Sequence, residues 1–407
     1  MNAAGLTLQA GFALTGVMTT LLGPLLPALI ARWSLTDAQA GRLFAAQFFA
    51  STLGAASQGW IVSRLRPSWC LALSYAAMAG AAATLASGSF AAAVARVALY
   101  GFALGISNPT ANLAAARSAP GRETAALNLL NMCWCAGAVA APVALSVLLK
   151  SQPLPRVLAE LAGLLAAAAV LALVFPIAVP LARDTSPASA TQSGAEGAAP
   201  FRAPQPGVAR AGDEAAAALR VAAFLFVYVG IENTVSGWIP AFGSRVLRLP
   251  VGAATLALAL FWTSLMAARG YLAFGRRIPR APVLLRASIG SALAGTAALS
   301  FSGGPVLLAG GAILAGAGLG PVFPGVVAIH TGRRSAARTL GLVMACAGLG
   351  GAALPWLAGV LSSLAADQRA TMWTGVAATL VLAALLRAVV TQSASRDSAH
   401  RAASPGL

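Results

Sequence analysis

Tyr228, Glu232 and Ser236 recur every fourth residue within FLFVYVGIENTVSGWIP, residues 224–240, and Asn233 borders them. In a helix this spacing puts the three side chains on one face. A carboxylate held among apolar neighbours is costly unless it is paired or protonated. Glu232 is therefore read as a functional group that binds a polar solute or carries a proton. A salt bridge to an arginine of another helix is the structural alternative. Glu160 is the other of the ten acidic residues inside an apolar run, and it follows Arg156 by four positions, an ordinary helix-surface pair.

Amides and indoles widen the candidate site. Asn108 and Asn112 lie four apart, Asn128 and Asn131 three apart, and Gln47 and Ser51 four apart. Such amides either tie buried helices together, at roughly 1 kcal/mol each, or read the hydroxyl groups of a bound solute. Trp134, Trp238 and Trp262 offer ring faces that stack on a sugar, whereas Trp33, Trp69 and Trp373 suit a membrane interface. The candidate binding set is Glu232, Asn108, Asn112, Asn131, Gln47, Asn233, Tyr228, Trp238 and Trp262.

The elements that must position these residues are legible from composition. Of 407 residues, 58% are hydrophobic and 9% charged, against roughly 25% charged in soluble domains; mean hydropathy is +0.80. A helical span needs about 20 apolar residues. Twelve stretches meet the pattern: 8–31, 41–62, 69–90, 92–115, 125–149, 157–181, 216–242, 252–275, 281–302, 304–329, 338–364 and 370–390. None alternates as a membrane β-strand does, so the expected class is an all-α membrane protein of twelve transmembrane helices. The first stretch has no basic leader and is expected to be retained. Cys70, Cys133, Cys135 and Cys346 fall within or at the ends of spans and read as reduced packing residues, without metal-site spacing.

The net charge of +17 reports orientation. With both termini inside, 19 of the 27 basic residues fall on the cytoplasmic side, Arg64, Arg66, Arg117, Arg122, Arg269, Arg276, Arg277 and Arg280 among them. That is the bias of cytoplasmic loops, and nucleic acid is not needed to explain the charge. There is no P-loop, no metal-ligand cluster and no histidine triad, the only histidines being His330 and His400. The chain reads as a protein of the lipid bilayer that is not an enzyme and takes no cofactor.

Residues 183–214 are rich in Pro, Ala, Ser and Gly and read as a cytoplasmic linker between halves 1–182 and 215–390, with 391–407 as a cytoplasmic tail. The halves echo one another. LGISNP at 104–109 matches LGPVFP at 319–324, GAVAAP at 137–142 matches GGAALP at 350–355, and Pro27 matches Pro240, at offsets of 213 to 215. The intrahelical prolines Pro109, Pro142, Pro324 and Pro355 are expected to kink their helices.

Two parallel six-helix halves form a transporter architecture with a midplane site between them, and the chain resembles the major facilitator superfamily over nearly its whole length. Gly59-Trp-Ile-Val-Ser-Arg64-Leu-Arg66 is similar to that superfamily's G-x-x-x-D-R-x-G-R loop, departing at Ser63 and Pro67; Gly270 to Arg277 is its counterpart. The resemblance implies a conformational latch at Gly59, Arg64, Arg66, Arg276 and Arg277. Trp33 to Gly41, Gly105 to Asn112, Ala126 to Asn131, and Tyr228 to Glu232 with Gly237 and Trp238 are similar to the fucose permease group of sugar–proton symporters. That group carries acids in spans one and four, where this chain has Thr15, Thr19, Thr20, Ser107 and Asn108.

The expected function is proton-coupled secondary transport of a small hydroxylated solute, a sugar or similar compound, across an inner membrane by a monomer, with Glu232 as the coupling or binding carboxylate. Efflux of a hydrophobic compound is the alternative within the fold. A non-transporting receptor or assembly protein is the alternative outside it.

Overall fold

The structure is a computed structural model describing residues 3–176, 211–275, 279, 281–331 and 336–403. Among these residues the chain is helical throughout. Seven helices precede residue 177: α1 Ala3–Thr20, α2 Leu22–Trp33, α3 Asp37–Val62, α4 Pro67–Thr84, α5 Phe90–Arg117, α6 Glu123–Ser151 and α7 Leu154–Val174. Seven follow residue 210: α8 Ala211–Arg245, α9 Val251–Phe274, α10 Ala281–Ser300, α11 Pro305–Leu319, α12 Val322–Thr331, α13 Ala336–Ala365 and α14 Arg369–Ala403. Starts follow ordinary capping chemistry. Thr36 and Gln39 form a reciprocal capping box on α3, and the Ser89 hydroxyl accepts from the Ala92 N–H on α5.

Nine helices among the described residues are long and apolar enough to cross a bilayer, and the bent pair α1–α2, at 45°, makes ten. Helices α3 and α4 fall outside that set although both were expected as spans. Gln47, Ser51, Thr52, Ser57 and Gln58 dilute the apolarity of α3. Helix α14 runs on to Ala403, through residues 391–403 of the expected tail. Linker residues 183–210 lie outside the described residues, and 211–214 open α8.

The prolines act unevenly. Helices α5, α6, α8 and α13 continue through Pro109, Pro142, Pro240 and Pro355. Breaks come instead at Leu21 and at Gly320–Pro321. A proline has no N–H for the carbonyl four residues earlier, so Pro24 leaves Thr20, and Pro324 leaves Gly320, without a helical donor. Partners from other helices are what make such breaks tolerable in a membrane.

Packing repeats along the chain. In the first set α1 packs on α6, α3 on α5, and α4 on α5 and α7; in the second α8 packs on α13, α9 on α11, and α10 on α11 and α14. Helices α3 with α13, α6 with α9, and α2 with α8 join the two sets. The repeated glycines explain two of the closest approaches. A Cβ at Gly137 would run into the Ala13 carbonyl of α1, and one at Gly350 into the Phe226 carbonyl of α8.

Candidate functional site

The break after Leu319 organises the surroundings of Glu232. The Tyr228 hydroxyl donates to Glu232 Oε2 at 2.5 Å and lies 3.1 Å from the Leu319 carbonyl, two acceptors for its one proton. Arg269 of α9 donates through Nε to the Gly320 carbonyl at 3.4 Å, and its Nη2 lies 3.4 Å from both Glu232 Oε2 and the Tyr228 oxygen. Thus the two carbonyls at the break are met by the same side chains that hold the carboxylate. The Cys135 thiol of α6 lies beside Arg269, which brings the first set to the edge of the cluster. Two readings change here. Arg269, grouped from sequence with the cytoplasmic loops, lies in the apolar span 251–272 and forms an ion pair. Cys135 packs, as expected, but against a charge.

A second cluster lies where α3 begins. Asp37 is buried, accepts from the Ser362 hydroxyl of α13 at 2.6 Å, and pairs with Arg245 at the end of α8. The neighbouring Ala38 N–H donates to the Ser363 hydroxyl at 2.8 Å. A Cβ at Gly359 would strike the Asp37 carbonyl, so α3 and α13 are close-packed at this end. The opposite end of α3 is open: Gly54 is buried, and no residue from Ala55 to Arg66 is.

Between the sets lies a space of about 10 Å³, roughly the volume that admits one water. Thr19, Thr20, Phe44, Asn233, Ser236 and Trp262 are among the residues around it. Among the described residues its wall carries no ionisable group. Trp262 is 4% exposed, its indole N–H has no hydrogen-bond partner among the described residues, and the Trp134 ring lies edge-on at 6.0 Å. Thr19 and Thr20 donate their hydroxyl protons to carbonyls of their own helix, and Asn233 donates to Val229. Their oxygen lone pairs remain to accept from a solute.

Of the residues selected from sequence, Asn233 and Trp262 surround this space, and Glu232 with Tyr228 forms the cluster next to it. The others lie elsewhere. Gln47 donates to the Thr19 carbonyl at 2.9 Å and accepts from Tyr100 at 2.9 Å, tying α3 to α1 and α5. Trp238 is fully buried, donates to the Pro355 carbonyl at 3.0 Å and packs on Phe44. Asn112 and Asn131 donate to carbonyls of their own helices, while the buried Asn108 Oδ1 has no partner among the described residues. In the expected latch Arg64 covers the Trp60 ring at 4.0 Å and donates to its carbonyl, Arg66 caps α4 by backbone, and a Cβ at Gly59 would meet open space. Arg276 and Arg277 lie outside the described residues.

The family model described as Major Facilitator Superfamily matches residues 10–332. The chain belongs to that superfamily. Major facilitators are transporters, so this chain is a membrane transporter of small molecules and not an enzyme. No curated protein sequence matches it. The nucleoside transporter NupG superimposes with a TM-score of 0.73 at 16% identity, covering 96% of this chain and 99% of that one. A bacterial homolog of the human lysosomal transporter Spinster, inward-facing and unoccupied, gives 0.71 at 15% identity over 95% and 96%. The E. coli fucose:proton symporter FucP gives 0.59 at 17% over 94% and 97%. The chain is thus similar across its length to major facilitators of several substrate classes.

Proposed function

We propose that this major facilitator moves a small neutral hydroxylated solute, a sugar or a nucleoside, across an inner membrane with a proton. The observation that carries the reading is the uncharged space between the helix sets with the unpartnered Trp262 N–H in its wall. Buried polar groups normally have partners, and a hydroxyl or carbonyl of a solute would supply one. Asn233, Thr19 and Thr20 are placed to accept hydroxyl protons, and Phe44 and Phe48 to cover an apolar ring face. The likeness to NupG and FucP is consistent with such substrates.

In this reading residues 1–182 and 215–390 are six-span halves, with α3 and α4 completing twelve, and residues 183–214 link them in the cytoplasm. Both termini are cytoplasmic, the Asp37 end faces outward, and the described state is closed there. Glu232 is the coupling group. Protonation would release its ion pair with Arg269, and Cys135 would carry that change to the first half. A monomer suffices, because the site lies between its own halves.

Proteoliposomes given rapid jumps of sugars and nucleosides test the reading. A solute-evoked current that depends on pH and vanishes in Glu232→Gln is the expected result. Current from lipophilic cations alone would instead assign the apolar wall of Phe44 and Phe48 to efflux. Silence of an active wild type toward every hydroxylated solute would sink the proposal.

A further inference from the structure

A groove of about 440 Å³ runs along the outside of the seam between α3 and the pair α8 and α13. Ala45, Ala46, Phe49, Phe226, Leu349 and Trp356 line it, and every lining side chain is apolar. Phe49, Leu349 and Trp356 are exposed, as suits a face turned to lipid tails. The groove is distinct from the central space, which Phe44 and Phe48 face from the other side of α3.

One charge marks its end. Arg42 precedes Ala45, Ala46 and Phe49 by three, four and seven residues, so all four lie on one helical face. Arg42 is exposed and has no hydrogen bond, ion pair or ring partner among the described residues. It stands at the level of Trp356, since Gly41 packs on the Trp356 backbone. From there the groove descends about 10 Å toward the helix centres, seven residues at 1.5 Å each. Arg42 itself lies about 8 Å inside the start of α3, within reach of the interface for a snorkelling guanidinium.

A cation at headgroup depth above an apolar slot that runs inward has the shape and charge order of one phospholipid. We propose that this groove is a binding site for a single anionic phospholipid, with phosphate on Arg42 and one acyl chain along Ala46, Phe49 and Phe226. The site straddles the two helix sets, so its occupant touches the seam that must move if the sets rock. The inference needs only a chain in a bilayer and stands apart from any choice of substrate.

The test uses purified full-length protein in neutral detergent, titrated with chain-labelled nitroxide phosphatidylglycerol and followed by the motionally restricted component of its spectrum. Wild type should retain one restricted lipid per chain. Arg42→Gln should weaken retention about fivefold, the share of one interfacial basic residue, and Arg42→Lys should keep most of it. Ala353→Phe, which fills the slot, should abolish retention. Arg42 has no partner to lose among the described residues, so its variants should unfold at the wild-type temperature. Equal retention by Arg42→Gln would overturn the proposal. So would equal binding of labelled diacylglycerol, which has no phosphate and would make the groove a path for apolar solutes.

Discussion

Glu232 with Arg269 and Asp37 with Arg245 are both carboxylate–arginine pairs, yet their placement differs in one decisive respect. The first joins α8 to α9 and the carbonyls at the α11–α12 break, all within the second helix set. The second joins α3 of the first set to α8 and α13 of the second. A pair inside one rigid set survives any rocking of the sets, whereas a pair between them must break when that end opens. The inner pair can therefore persist while the sets rock, and the outer pair can report conformation. Chemistry alone, an acid and a guanidinium, does not separate them; the helices they connect do.

The sharpest way to break this comparison is to remove one inner partner. Arg269→Gln leaves a carboxylate in a span with Tyr228 as its one remaining partner among the described residues, and stability should fall by about 3 kcal/mol, as for other broken buried pairs. Adding Glu232→Gln should restore most of that loss without restoring coupling, since two neutral amides need no counter-charge. Thermal unfolding of the two variants in detergent decides the matter. If the double variant is no better than the single, charge balance is not what the pair supplies.

The outer pair should behave differently. Arg245 is 42% exposed, so solvent screens much of the attraction, and Asp37→Asn should cost about 1 kcal/mol. That cost should appear as a shift of state. In a cysteine-free background, a cysteine at Thr20 should be alkylated from the Asp37 side about fivefold faster when Asp37 is neutralised, the factor equivalent to that energy. An unchanged rate would assign the cluster to packing. The same change at Glu232 breaks no pair between the sets, so it should move the rate less than Asp37→Asn does, and that contrast is the test of the comparison.

These pairs also show what the sequence discloses. Glu232 stands out because an acid in an apolar run is costly, and its four-residue spacing from Tyr228 named a true hydrogen-bond partner. Arg269 was hidden because an arginine near a span end reads equally well as an orientation signal. Asp37 was hidden more thoroughly: it follows Thr36 and precedes Gln39, so helix-start chemistry accounts for an acid there. Its partners are 208 and 325 residues away, a separation that no local pattern encodes. The helices themselves were plain, because a run of twenty apolar residues has few alternatives in lipid. The prolines were half legible. Pro324 was expected to kink span 304–329, and the break in that span falls one turn before it, at Gly320–Pro321, where the carbonyls freed can meet Tyr228 and Arg269.

The central space gives a smaller effect with a clean signature. Trp262→Phe keeps the ring and deletes only the N–H, which has no partner in the described structure. Stability should hold or rise slightly, since an unsatisfied donor is lost. Solute affinity should fall about fivefold, the share of one neutral hydrogen bond, with maximal flux little changed. A matched loss of stability would place the indole in the scaffold with Trp238.

The smallest expected effect guards the pH experiments on the inner pair. Glu123 opens α6, outside the apolar span 125–151, and accepts from the Gly121 N–H at 2.7 Å. Hydrogen bonds from its own N–H and that of Gly121 hold its carboxyl below the usual glutamate value of 4.5. A depressed folded-state pKa stabilises fully above the unfolded value and is lost as pH falls through the folded one. Glu123→Gln should therefore flatten a minor acid-side slope in stability, below pH 4.5, and leave the profile above it intact. Any pH dependence of transport nearer neutrality must then persist in Glu123→Gln and disappear in Glu232→Gln. If Glu123→Gln removes it instead, the proton is sensed at the exposed start of α6, and the inner pair is only a brace within its own helix set.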